Sequence, residues 1–212
     1  MCSNSILWRT LATLLLFSPF FASAQVVPSA TDRTLPLAVG GGLSGFDPDL
    51  LRTSFGNLEQ TRNSGIMLGV SGWADYFPQW MPQRLHGLGI EAEGHDIGWR
   101  QSSTETNFRI MVAGGGAIYS WRHFHTFRPY GKAGELYGQM RFAPDKQPYH
   151  SDTRNFLYFG GGFEYHVWRK VWMRADYEYQ MWPDMIFGHG NYLSPEGVTV
   201  GATYRFGRPR LH

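Results

Sequence analysis

The sequence predicts an all-β chain: an eight-stranded antiparallel up-and-down transmembrane β-barrel behind an export signal. Three observations predict it. Apolar and polar residues alternate with a period of two over most of the chain after residue 36. In the clearest strands one of the two faces carries no charge at all. The segments between strands alternate long and short, as the connections of an up-and-down barrel do.

Residues 1–24 read as a signal peptide. Arg9 supplies the positive start, residues 11–21 form a short apolar run, and Ala22-Ser23-Ala24 is a small-residue cleavage site before Gln25. The apolar run is too short for a retained spanning helix. Cys2, the only cysteine, precedes it, so the mature chain is expected to hold no disulfide and no thiolate metal site. Residues 25–35 read as a flexible lead-in, 36–207 as the barrel and 208–212 as a short tail.

Charged residues make up only 17% of the chain and aromatic residues 16%, which suits a sheet whose outside is not all in water. The net charge of +2 and the dispersed basic residues argue against a nucleic-acid partner.

The last strand is the cleanest. Val198, Val200, Ala202, Tyr204 and Phe206 share one face, and Thr199, Gly201, Thr203 and Arg205 the other. Before it, Met173, Ala175 and Tyr177 alternate with Arg174, Asp176 and Glu178. Leu157, Phe159, Phe163, Tyr165 and Val167 alternate with Tyr158, Glu164 and His166. A helix cannot separate these sets, whereas a strand does so automatically. Upstream, Phe108, Ile110, Val112 and Ile118 oppose Arg109, Met111, Ala113 and Tyr119. Leu88, Ile90 and Ala92 oppose Glu91, Glu93 and His95. Ile66, Leu68, Val70, Ala74 and Tyr76 oppose Ser71 and Asp75, and Leu37, Val39 and Leu43 share a phase in the glycine-rich segment 37–46. Segment 129–142 is strand-like with an open facing: Lys132 and Glu135 fall on opposite sides unless a bulge intervenes. Connections are expected near 47–63, 78–83, 99–107, 123–128, 143–155, 168–170 and 182–196. The longer ones would lie outside the cell, and both chain ends in the periplasm.

The identity of the faces separates a membrane barrel from a soluble one. A soluble barrel is apolar within and charged without, while a membrane barrel can reverse this. Val198, Val200, Ala202, Tyr204, Phe206, Met173, Ala175 and Tyr177 are therefore expected to meet lipid. Asp75, Glu91, Glu93, Arg109, Glu164, His166, Arg174, Asp176, Glu178 and Arg205 are expected in the lumen, with Glu164 and Arg174 paired directly or through Asp176 or His166. Tyr76, Phe77, Tyr204 and Phe206 suit an aromatic girdle.

Phe159-Gly160-Gly161-Gly162-Phe163-Glu164-Tyr165, Arg174-Ala175-Asp176-Tyr177-Glu178-Tyr179-Gln180 and the terminal strand from Gly197 to Phe206 resemble the bacterial outer-membrane β-barrel domain family, in the class of small OmpA/OmpX-like barrels. The family often ends on the terminal aromatic residue, whereas Gly207 to His212 follow here. The resemblance implies a barrel in the outer membrane of a Gram-negative-type bacterium. It also implies contact with outer-membrane lipid and handling by the barrel assembly machinery. A monomer is expected, and no extracellular partner is named by it.

Lumen charges would suit an ion path, but an eight-stranded barrel is just wide enough for side chains to fill it. A filled, rigid lumen and a structural or surface-interaction role are thus expected, with a narrow passive channel as one alternative. The other is an outer-membrane enzyme acting on lipid or surface substrates, built on His189 with Ser194 and Glu196, although no nucleophile motif surrounds the serine. His123 and His125 are two ligands without a third, which is short of a metal site. Gly114-Gly115-Gly116 and Gly160-Gly161-Gly162 lack the lysine and following helix of a phosphate loop. No catalytic residue, cofactor or metal is assigned from sequence.

Overall fold

A computed structural model describes residues 36–47, 66–101, 106–122, 126–143, 150–183 and 194–206. The expected signal, lead-in, tail, His123, His125 and His189 lie outside them. Within them the chain runs β1 Leu37–Asp47, β2 Met67–Tyr76, β3 Leu88–Gln101, β4 Thr106–Ser120, β5 Phe127–Ala143, β6 His150–Trp168, β7 Val171–Met181 and β8 Glu196–Phe206. One turn of 3₁₀ helix, Gln83–Leu85, lies between β2 and β3. Each strand pairs antiparallel with its sequence neighbours, and β8 returns to β1, so the barrel is closed. Closure leaves no unpaired sheet edge, which is what a sheet needs in hydrocarbon.

The register is staggered around the ring. A circuit across paired residues from Leu37 passes Tyr76, Ile90, Ala117, Ala133, Phe159, Tyr179 and Glu196, and arrives at Asp47, the far end of the strand where it began. Such stagger accompanies strands tilted by roughly 35–45° to the barrel axis. β5 and β6 have 17 and 19 residues against 10 or 11 in β1, β2, β7 and β8. The excess lies at the end away from the 169–170 turn, so one side of that rim stands higher.

The pleat sorts the side chains. On β8, Val198, Val200, Tyr204 and Phe206 face out, while Thr199, Thr203 and Arg205 are buried. On β7, Met173 and Tyr177 face out and Trp172, Arg174, Asp176, Glu178 and Gln180 face in. β5 runs without a bulge: Lys132 is buried in the lumen and Glu135 is exposed on the outer wall.

Three placements correct the sequence reading. On β4 the phase is the reverse of the one expected: Ile110, Val112 and Ile118 are inside and Arg109 is outside. The reason is that both ends of the lumen are apolar, so β4 turns Ile110 and Val112 inward at the end away from the 169–170 turn and Ile118 inward at the other. Phe77 is buried at the barrel's lower end and not in the girdle, under the guanidinium of Arg205. The β6–β7 hairpin turns on Arg169, a non-glycine residue at φ 45°, after a bulge between His166 and Trp168. His166, just before that bulge, keeps the phase of Glu164 but sits beside the turn, where it bonds the Arg169 carbonyl and not the lumen acids.

Glycine matters where backbones or rings come close. A Cβ on Gly134 would strike the backbone of Gly115 and Gly116 on β4, and one on Gly40 would strike the ring of Trp73. The small residues let the filled lumen pack.

Candidate functional site: the charged lumen

The lumen is layered. Its outer end holds Phe46, Met67, Ile97, Ile110, Val112, Leu136, Met140, Phe156 and Trp182 in one apolar cluster. Phe156 and Trp182 stack there with ring centroids 4.1 Å apart. The lower end holds Phe77, Ile118 and Tyr130. Between them lies the charged layer, which the alternation of β2, β3, β5 and β7 delivers to one level.

Arg174 is its centre. Its Nη2 donates to Glu91 at 2.5 Å, its Nη1 lies 3.3 Å from Asp75 Oδ2, and its Nε donates to Tyr130 at 2.7 Å and Asp176 at 3.1 Å. The Tyr130 hydroxyl in turn donates to Asp176 at 2.8 Å. The guanidinium lies between rings, 4.8 Å from the centroid of Trp73 and 4.6 Å from that of Tyr130. Acids on β2, β3 and β7 thus share one cation.

Lys132 is the second centre. Its ammonium donates to Glu93 and, at 2.7 Å, to Glu178, with Glu91 at 3.5 Å and Asp176 at 3.7 Å. Gln180 donates to the other oxygen of Glu178 at 2.8 Å, and Trp182 donates to Gln180 at 2.9 Å. That chain ties the charged layer to the apolar one above it. A polar seam of Ser44, Ser71 and Thr199 runs beside it and ends on Nδ1 of His95, 2.5 Å from Ser71 Oγ. Below, Arg205 pairs with Glu164 and lies against Trp172.

Glu164 and Arg174 therefore do not pair with each other, directly or through Asp176 or His166. His166 is half-buried, donates from Nε2 to the carbonyl of Arg169 at 2.8 Å and packs on Trp172. Arg109, placed in the lumen by the sequence reading, donates to Asp96 on the outer face, where both side chains are roughly half exposed. Asp75, Glu91, Glu93, Glu164, Arg174, Asp176, Glu178 and Arg205 are all buried. The sequence reading left Lys132, His95, Arg128, Tyr130 and Gln180 out of the network. A signal was present for all five: His95 shares the phase of Glu91 and Glu93, Gln180 that of Asp176 and Glu178, and Arg128, Tyr130 and Lys132 share one phase of β5.

Moving an ion into such a site costs several kcal/mol, which only close partners repay. Each central cation here has several.

Of the residues weighed for an enzyme, Ser194 and Glu196 are among the described residues and His189 is not. Glu196 is exposed and accepts a hydrogen bond from the Tyr177 hydroxyl. Ser194 is half-buried in a mostly apolar crevice of about 540 Å³ on the barrel wall, shared with Glu135, Leu157, Tyr179 and Met181.

Comparison with known proteins follows this geometry. A family model described as "Outer membrane protein beta-barrel domain" matches residues 12–206. Neisserial surface protein A is similar in structure, with a TM-score of 0.59 and 16% identity over 80% of this chain and 97% of that one. The outer-membrane protein OprG of Pseudomonas aeruginosa is similar with a TM-score of 0.51 and 13% identity, over 82% of this chain and 98% of that one. No curated protein matches the sequence.

Proposed function

The chain belongs to the outer membrane protein β-barrel domain family, and from that premise we propose that it is a closed scaffold of the outer membrane whose work is done by its outward rim. The family places it in the outer membrane. In this reading the lumen is packed shut and does not conduct, no step of catalysis is carried, and the connections beyond the raised rim of β3–β6 make the surface contacts. Outer-membrane lipid surrounds it, the barrel assembly machinery inserts it, and it works as a monomer. Loops on a rigid frame are where binding usually resides.

The observation that carries this reading is the clasp on Arg174. A guanidinium bonded to Glu91, Asp75 and Asp176 at mid-lumen, beneath an apolar layer, blocks the axis with groups that cannot move without losing partners. The test is a planar-bilayer recording of the purified, refolded protein. Quiet membranes are expected. Stable, reproducible steps whose ion selectivity changes in Arg174→Ala would replace the scaffold with a channel.

A further inference from the structure

The charged layer has more acid than its permanent cations neutralise. Among the described residues, six buried lumen acids, Asp75, Glu91, Glu93, Glu164, Asp176 and Glu178, face four buried bases, Arg128, Lys132, Arg174 and Arg205, with His95 among them. Uncompensated buried charge is costly, so either protons or a further cation must meet the excess.

One place in the layer has the form of a cation site. Glu93 and His95 are two apart on β3, so both point into the lumen. Glu178 reaches them from β7, on the opposite side of the ring. One ligand atom from each lies within 4.8 Å of the other two. His95 Nε2 stands 3.5 Å from Glu178 Oε2 and 3.7 Å from Glu93 Oε2. Ligands at about 2.1 Å from a tetrahedral metal are separated by about 3.4 Å, close to those edges. His95 is 95% buried, yet its Nε2 makes no hydrogen bond, and neither does Glu93 Oε1. The other ring nitrogen of His95 is held by Ser71 at 2.5 Å. A hydroxyl that accepts from Nδ1–H leaves the Nε2 lone pair aimed at the carboxylates, the tautomer a metal requires.

We propose that Glu93, His95 and Glu178 bind one divalent transition metal of the zinc class inside the closed lumen. One imidazole and two carboxylates favour such a metal over calcium or magnesium, which prefer all-oxygen shells. The ion braces β3 against β7 across the barrel. Lys132 is its competitor, because its ammonium holds the same two carboxylate oxygens. With the metal bound, Lys132 turns to Glu91 and Asp176, which already lie at 3.5 and 3.7 Å. The charged layer lies between two buried apolar clusters, so in the shut-lumen reading proposed above the ion enters during folding.

The test is refolding in detergent with zinc, followed by removal of free metal and elemental analysis of the folded fraction. About one zinc per chain is expected in the wild type and in Glu135→Gln, whose carboxylate is on the outer wall. His95→Ala should retain less than about a tenth of that. Lys132→Met should bind at least about tenfold more tightly, because the competing cation is gone. Cobalt in place of zinc tests the wild type without any variant: intense visible bands of a four-coordinate site are expected. A folded wild type that holds no metal, zinc retained in His95→Ala, or only the weak bands of a six-coordinate cobalt would each overturn the proposal and leave protons to neutralise the layer.

Discussion

Glu164 and Arg174 stand directly opposite each other on β6 and β7, yet each bonds elsewhere. Glu164 takes Arg205 from β8, while Arg174 reaches across the lumen to Asp75 and Glu91. Two long side chains on neighbouring strands of a closed barrel both aim at the axis. There they meet groups from distant strands as readily as each other. The charged layer is therefore a network through the barrel and not a ladder along one strand pair.

The weight of that network falls on Arg174. Arg174→Ala strands buried carboxylates and should cost about 3–5 kcal/mol. Urea unfolding of the protein in lipid vesicles measures it. Arg109→Ala, which removes an exposed pair with Asp96, should leave the same transition almost unmoved. The opposite ranking of the two variants would show that the lumen pairs are dispensable.

The outer wall is tested at Val200, which is 48% exposed in the middle of β8. Val200→Arg should cost about 2–4 kcal/mol if the residue lies near the bilayer midplane. Val200→Leu should be close to silent. An arginine variant as stable as wild type in bilayers would mean that this face does not meet lipid.

Backbone contact between β4 and β5 sets a third expectation. Gly134→Ala places a methyl group against the backbone of Gly115 and Gly116, and overpacking of that kind costs about 1–3 kcal/mol. Gly131→Ala on the same strand meets nothing nearer than 3.9 Å and should be tolerated. Equal stability of the two variants, read from the same urea transitions, would remove the close approach as a cause.

Location and orientation are checked in cells. The mature chain should begin near Gln25 and fractionate with the outer membrane. Tags inserted within 48–65, 102–105, 144–149 or 184–193 should be stained on intact cells, and a tag at 123–125 only after permeabilisation. Staining of the 123–125 tag on intact cells, with the other four silent, would invert the barrel.

The fold class was legible because the period of two is a property of the strand itself. On β7, Arg174, Asp176 and Glu178 alternate with Met173, Ala175 and Tyr177, and no packing partner is needed to see that one side repels lipid. β4 was not legible in the same way. Both of its faces are largely apolar, and its one charge, Arg109, lies near the outer end where a strand leaves the membrane. Segment 129–142 failed for the opposite reason, since Lys132 and Glu135 put a charge on each face.

Alternation, together with the uncharged face and the alternating connections, thus predicted an up-and-down barrel with charges on its inner face, since the direction of each side chain follows from local backbone geometry. Only the tertiary structure decided that Lys132 enters the lumen while Glu135 stays outside. Lys132 finds Glu93 and Glu178 across the barrel, whereas Glu135 occupies the wall beside Leu157 and Tyr179. It also decided that Arg174 belongs to Asp75, 99 residues away, and not to Glu164 opposite it. The physical reason is that a buried charge chooses its partner by distance through the lumen. Those distances exist only once all eight strands have set their stagger around the ring.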